Sequence, residues 1–265
     1  MMKILFVGDV VGRLGRRTMQ ALLPTLKQET EADLVVANGE NAAGGRGLTL
    51  TTADELFAAG VDVITSGNHI WEIREIYPLL DSESPILRPL NYPPGVPGRG
   101  LLIAHGSAFI NLQGRTFMGA DTDCPFRAAD KALEHLQDVP VIIIDIHAEA
   151  TSEKAALAHH LDGRVAAVVG THTHVPTADA RVLPGGTAFI SDVGMCGPYD
   201  SVIGRDKAAV VRHMTTGMYV PFGIGSGGEA MCGVVIRVDE GSRRALSIER
   251  VEYRADRSRP PFSDG

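Results

Sequence analysis

Aromatic residues are scarce in this chain, 5% of the total with a single tryptophan, and cysteine occurs only three times. Cys124, Cys196 and Cys232 lie far apart and form neither a CxxC pair nor an even set, which excludes a disulfide-stapled scaffold and points to a reducing compartment. Positive charge is also in deficit, with 25 Lys and Arg against 32 Asp and Glu for a formal charge of −7. The basic residues are scattered apart from Arg13-Leu14-Gly15-Arg16-Arg17 and the stretch 250–259. Long duplex nucleic acid is therefore not an expected partner, whereas a small phosphate held by local arginines is compatible with this pattern. No apolar run is long enough to span a membrane, and residues 1–7 are too short for the core of a signal peptide before Asp9 interrupts them. A cytoplasmic protein without membrane attachment is the expectation.

What the chain does have is glycine, 30 residues of it, and an apolar fraction of 44%. That composition favours a tightly packed sheet with many turns over a disordered or fibrous chain. At 265 residues a single layered α/β domain covering 1–265 is expected, and no internal repeat or low-complexity segment interrupts it. Continuous apolar runs at 4–7, 34–37, 61–66, 141–146, 165–169 and 188–191 read as strands buried on both faces. Helix-like segments at 16–29, 51–59, 70–80 and 152–160 lie between them, and the alternation implies a layered α/β fold. Residues 85–119 read as a Pro- and Gly-rich loop followed by antiparallel strands at 101–104 and 108–112. Residues 232–253 read as strand, turn at Glu240-Gly241-Ser242 and strand, a pairing expected to finish a second sheet. The tail after Arg254 reads as a loosely attached terminus.

Polar residues capable of chemistry cluster where these apolar runs end. Asp9 closes the first run, where a carboxylate faces the crevice used by ligands of α/β sheets. The neighbouring Gly8, Gly12 and Gly15 are spaced GxxxGxxG and follow the first glycine with an acid, so a dinucleotide loop is rejected. Gly39-Glu40-Asn41 follows the second run; in isolation it reads as a polar turn, but a carboxylate there can bridge two cations and an Asn amide oxygen is a hard neutral donor. Gly67-Asn68-His69 follows the third, with Asn68 offering an oxygen and His69 an imidazole that titrates near neutrality; the alternative is a helix N-cap with an incidental histidine. His147 ends the run 141–146, where a satisfied structural histidine is the ordinary alternative. Gly170-Thr171-His172-Thr173-His174 is the strongest motif, because just past a strand end the chain turns and both rings can reach adjacent cations. His105, His135, His159, His160 and His213 have no matching partners and receive no role.

Taken together, these sites offer mixed oxygen and nitrogen donors, which suit Fe, Mn or Zn and argue against a thiolate-bound structural metal. Two cations about 3.5–4 Å apart generate hydroxide from a bridging water and clamp phosphoryl oxygens, the needs of phosphoester hydrolysis.

The motifs resemble those of the calcineurin-like metallophosphoesterases, whose blocks run D-x-H, G-D, G-N-H-[DE], H and G-H-x-H. Gly8-Asp9 to Arg16, Asn38 to Ala42, Ser66 to Trp71, His147 to Lys154, Gly170 to Val175 and Asp192 to Pro198 are similar to a bacterial YmdB-type phosphodiesterase subfamily in particular. The resemblance implies a two-sheet α/β/β/α sandwich and hydrolysis of phosphodiesters, 2′,3′-cyclic nucleotides among them. It also implies that Asp9, Glu40, Asn41 and His174 hold one cation, that Glu40, Asn68, His147 and His172 hold the other, and that His69 is the general acid. Val11 stands where the superfamily's D-x-H histidine would be, and Glu40 replaces its usual bridging Asp, so the first cation site gains oxygen character. Arg13, Glu149 and Asp192 can be read either as phosphate or outer contacts or as loop-stabilising residues, and Cys196 as a packed side chain. A phosphomonoesterase, or a regulatory RNA-associated protein that keeps its metals for structure or sensing, are the competing readings. Homo-oligomerisation stays open.

Overall fold

Alternation along the first strand already defines the layers: Ile4 and Phe6 point to one side and Leu5 and Val7 to the other, and all four are buried. The structure, a computed structural model, describes residues 1–254; the tail beyond Arg254, and with it the end of the basic stretch, lies outside the described residues. In chain order the elements are β1 (Met2–Val7), β2 (Asp9–Val10), α1 (Gly12–Thr30), β3 (Leu34–Asn38), α2 (Leu50–Ala58), β4 (Val63–Thr65), α3 (Tyr77–Leu80), β5 (Leu101–Ala104), β6 (Ser107–Gln113), α4 (Pro125–Leu133), β7 (Val141–His147), α5 (Thr151–His160), β8 (Ala167–Thr171), β9 (Arg181–Val182), β10 (Ala188–Ile190), β11 (Met195–Pro198), α6 (Lys207–Thr216), β12 (Glu229–Asp239) and β13 (Arg244–Arg254).

They form two sheets. One runs β2-β11-β12-β1-β3-β4, with β13 paired to β12, and the other runs β5-β6-β7-β8-β10-β9. The inner faces meet in one apolar layer where Ile4, Phe6, Val36 and Val234 of the first sheet face Phe109, Ile143, Val169 and Ile190 of the second. The outer face of the first sheet packs Leu5, Val7 and Val35 against Met19, Leu23 and Leu26 of α1. That of the second packs Ile142, Ile144 and Ile146 against Ala129 of α4 and Leu157 of α5. This is the expected α/β/β/α sandwich. The two hydrophobic faces of each strand explain why the runs are continuous in sequence.

β1, β3 and β4 are mutually parallel, as are β6, β7, β8 and β10. Parallel strands put their carboxyl ends along one edge, so the polar segments after them are delivered to one place.

Two expectations need correction. Residues 70–80 are not a continuous helix but a turn, a 3₁₀ turn at Arg74–Ile76 and the single α-turn of α3. Pro78 has no N–H to donate and is tolerated only in a first turn, so the helix has to begin beside it. The C-terminal hairpin joins the first sheet, residues 233–238 of β12 pairing with the whole of β1, while the β5–β6 hairpin belongs to the second. Every β12 side chain from Ala230 to Ile236 is buried, which only a strand in the sheet interior permits. α4, which buries Pro125, Ala129 and Ala132 on one face, and α6, which buries only Val210, are two further helices beyond those expected from the sequence. Among the described residues no helix is long and apolar enough to cross a membrane, and all three cysteines are free thiols.

Candidate metal centre

Five segments leave the common sheet edge and converge. Asp9 follows β1, Glu40 and Asn41 follow β3, Asn68 and His69 follow β4, His147 is the last residue of β7, and His172 and His174 follow β8. The turn after β8 is tight enough that His172 and His174 both take left-handed backbone conformations, with φ of 100° and 65°. Non-glycine residues are held there only when their surroundings compensate. Here the Thr173 amide donates to Asp192 Oδ2 (2.9 Å) and the His172 amide to Asp9 Oδ2 (3.1 Å). Asp192 in turn is paired at 2.9 Å with Lys154, whose side chain is wholly buried. An unpaired ammonium at that depth would cost several kcal/mol, so each member of the pair requires the other.

His147 lies at the centre of one side. Its Nε2 is 3.0 Å from His172 Nδ1, 3.2 Å from Glu40 Oε1 and 3.2 Å from Asn68 Oδ1. Its other nitrogen, Nδ1, is 2.9 Å from Thr171 Oγ1, and the Thr171 hydroxyl donates to Asp145 Oδ1 at 2.7 Å. Asp145 Oδ2 accepts from the Thr65 hydroxyl and, at 3.2 Å, from the Asn38 amide. Asn38 and Thr65 come from the first sheet and Asp145, His147 and Thr171 from the second, so this buried network ties the two sheets together directly beneath the cluster.

The electrostatics follow from burial and proximity. Burial would raise the Glu40 carboxyl, but His147 beside it and the His69 amide hold it down at about 2. Burial would lower His147, yet Glu40, Asp9 and Asp145 raise it to about 9. Burial and the His147 charge together push His172 down to about 3, and burial pushes Asp145 up to about 6. The Glu40–His147 pair is thus ionic, with a proton where a cation and its ligands would otherwise meet.

The other side is looser. His174 donates Nδ1–H to the Ile203 carbonyl at 2.9 Å, which fixes its tautomer and turns the Nε2 lone pair inward. That nitrogen lies 3.2 Å from the Asn41 amide and 3.7 Å from Asp9 Oδ1. Asp9 is fully buried, and Oδ1 has no hydrogen-bond partner. Burial accordingly raises its carboxyl, with Coulombic relief from His174 and His147.

These features fit metal ions. A buried carboxylate oxygen without a partner is one sign. Gly67 is another: a Cβ there would stand 2.3 Å from His147 Nε2 and 2.5 Å from Glu40 Oε2, so only glycine leaves that space open. Ligand atoms of Glu40, His147 and His172 all lie within 4.8 Å of one another, and the oxygen and nitrogen donors suit hard-to-borderline cations.

Other residues singled out from sequence sit around this core. The His69 amide donates to Glu40 Oε2 (3.0 Å), while its ring turns to Glu72, with Nδ1 3.1 Å from Oε1. Glu149 is half-exposed, 3.3 Å from His172 Nε2. Arg13 stands exposed on the first turn of α1 and makes no hydrogen bond or ion pair with the cluster. Cys196 is buried under α1, its thiol directed to the Gly15 carbonyl and pushed up by burial. Asn38, Thr65 and Lys154 carry the supporting layer and were missed as members of the site. Their signal was a polar side chain at a position that a buried strand or helix face would give to an apolar one.

Comparison with known proteins settles the lineage. Residues 5–251 match the family described as YmdB-like protein. The chain belongs to the YmdB-like family. It is 47% identical over 255 residues to the 2′,3′-cyclic-nucleotide 2′-phosphodiesterase of Bacillus subtilis, covering 94% of this chain and 96% of that protein. Among solved structures, a hypothetical protein from Thermus thermophilus superimposes with a TM-score of 0.89 at 45% identity, over 96% of this chain and 99% of the other. A phosphatase from Mycoplasma pneumoniae superimposes at 0.90 and 35% identity, over 96% and 93%. Both structures thus share the sandwich over nearly the whole of this chain.

Proposed function

We propose that this YmdB-like protein is a metal-dependent phosphodiesterase, a single cytoplasmic metallophosphoesterase domain that opens 2′,3′-cyclic nucleotides by hydrolysis. The observation that carries the reading is Glu40, one buried carboxylate in contact with His147, Asn41 and the His69 amide at the meeting point of both sides of the cluster. The name of the Bacillus subtilis relative supports the substrate class.

In this reading Asp9, Glu40, Asn41 and His174 hold one cation and Glu40, Asn68, His147 and His172 a second, iron or manganese being preferred by the oxygen-rich donor set and zinc acceptable. When bound, the two ions supply Lewis-acid polarisation of the phosphoryl group and an activated water. The protein's own contribution is orientation and proton transfer. Thr171 and Asp145 hold the His147 ring from behind, and the Ile203 carbonyl does the same for His174. Glu72 Oε1, 3.1 Å from His69 Nδ1, orients the ring and leaves Nε2–H as the proton source. As water adds to phosphorus the bond to the ribose 2′ oxygen breaks, and His69 Nε2–H protonates that oxygen, leaving a nucleoside 3′-phosphate.

The test is a metal-supplemented comparison of bis-aryl phosphate, aryl phosphate and 2′,3′- against 3′,5′-cyclic nucleotides. The diesters and the 2′,3′-cyclic compounds are expected to be turned over. Preference for the aryl monoester would replace the reading with a phosphomonoesterase, and no turnover at all would favour a regulatory metal-binding protein. His69→Ala should cost about 10²–10⁴-fold in rate with metal content retained; unchanged turnover removes His69 from the acid role.

A further inference from the structure

The segment after β11 carries a second set of residues that the hydrolytic reading leaves unused. A pocket of about 480 Å³ lies between the loop after Asn41 and the segment after α6, lined by Arg46, Arg205, His213, Tyr219 and Phe222 among others. Both walls continue directly from the metal centre. The Asn41 carbonyl accepts from the amide of Gly45, one residue before Arg46, so the loop folds back on the cluster within a single turn. On the opposite wall, Ile203, whose carbonyl orients His174, is two residues from Arg205, and Arg205 donates to the Gly45 carbonyl at 2.6 Å, joining the walls. The turn between them is set by left-handed Ile203 and Gly204, at φ of 46° and 90°. Gly44, which also lines the pocket, is three residues from Asn41, so at no more than about 3.6 Å per residue the pocket begins within roughly 11 Å of the Asn41 backbone.

Its chemistry is one-sided. Among the described residues no carboxylate lines it, and neither guanidinium has a carboxylate partner. Arg205 is held below its ordinary range by burial and by the charge of Arg46. Two unneutralised arginines side by side favour an anionic ligand, and their planar faces also suit stacking. The remaining wall is aromatic. Phe222 is braced edge-on by the His213 ring at 5.3 Å, and His213 is itself fixed by its hydrogen bond to the Met218 carbonyl. Tyr219 and Phe222 are exposed, unusual for large apolar rings in a chain so poor in aromatics. A pocket that offers cations on one side and flat apolar faces on the other matches a ligand with an anionic group and an aromatic ring.

We infer that this pocket is the nucleoside subsite of the same centre, in which Tyr219 and Phe222 stack the base while Arg46 and Arg205 face the sugar-phosphate edge of a nucleotide whose phosphorus sits at the cluster. The inference rests on the phosphodiesterase reading and adds to it what distinguishes a nucleotide from any other diester. Residues 203–205 then serve both ends of the substrate, orienting His174 through one carbonyl and presenting Arg205 through the next side chain but one.

The experiment is calorimetric titration of the metal-loaded protein with adenosine 3′-monophosphate and with inorganic phosphate, for wild type and for the Tyr219→Ala/Phe222→Ala double variant. Wild type should bind the nucleotide more tightly than phosphate. The double variant should weaken nucleotide binding by roughly 5- to 100-fold, the loss of one base–aromatic stack, and so narrow the gap between the two ligands. Both side chains are exposed, so the variant is expected to fold, and its unchanged melting curve would verify that. A gap that persists in the folded double variant overturns the inference, as does equal binding of the two ligands by wild type. If wild type hydrolyses bis-aryl phosphate while the gap persists, the subsite fails and the phosphodiesterase reading stands. If wild type hydrolyses no diester, that reading fails on its own account.

Discussion

Glu40 divides the candidate centre into two sides that emerge from the same sheet edge yet are built differently. On the His147 side the groups contact one another at 3.0–3.2 Å, and behind them Thr171, Asp145, Thr65 and Asn38 form a buried layer that spans both sheets. On the His174 side the nearest approach to Asp9 is 3.7 Å, one Asp9 oxygen has no partner, and the histidine is oriented by a loop carbonyl. The difference separates two tasks. A side closed by its own hydrogen bonds contributes to the fold even without a ligand, whereas a side with an unsatisfied buried oxygen is destabilising until something positive arrives. Mutations on the closed side should therefore damage stability and binding together, and those on the open side should damage binding alone.

The carboxylate shared by both sides gives the largest expected effect. Glu40→Gln removes the negative charge that faces His147 and that both proposed cations would share. Each ion supplies several kcal/mol of charge stabilisation, so turnover should drop by at least about 10³-fold, with elemental analysis finding loss of both metals. Two metals per chain with full activity would show that the halves do not meet at Glu40.

A smaller effect is expected from the closed side's supporting layer. Thr171→Val keeps the shape of the side chain but leaves His147 Nδ1 and Asp145 Oδ1 without the hydroxyl that joins them. The metal-free protein should lose about 1–3 kcal/mol in urea denaturation, and metal affinity, read by competition with a chelator, should fall about 10–100-fold. Loss of affinity with unaltered stability would mean that this side is no better closed than the other.

The two sides were also unequally legible in the sequence. The sandwich could be read because each buried strand is a short run of β-branched residues that ends in a polar motif, and Asp9, Glu40, Asn41, Asn68, His147, His172 and His174 are those motifs. Their convergence follows from parallel strands sharing an edge. The supporting layer was hidden because Asp145 is a single polar residue inside an apolar run and Asn38 and Thr65 are the last residues of their strands, and no sequence spacing reveals that strands 80 and 107 residues apart bring them into contact. Residues 70–80 misled in the opposite sense: their apolar periodicity is helical, but Pro78 confines the helix to the single turn that begins beside it. The C-terminal hairpin could be identified locally, but which sheet it joins depends on the free edge of β1, a non-local fact.

The open side yields the finest test. Asp9 Oδ2 already accepts from the His172 amide, and Oδ1 faces His174 Nε2 at 3.7 Å, while the other ring nitrogen donates to the Ile203 carbonyl. Asp9→Asn keeps the first bond, removes a buried charge and can turn its amide toward that nitrogen. The metal-free variant should therefore be as stable as wild type, or more stable by about 1 kcal/mol, in urea denaturation. Added metal should then raise its melting temperature less than it raises that of wild type, since binding to the folded state alone stabilises in proportion to occupancy. Destabilisation of metal-free Asp9→Asn by as much as Thr171→Val would mean that Asp9 is held by the protein in the same way as His147, and the distinction between the two sides would disappear.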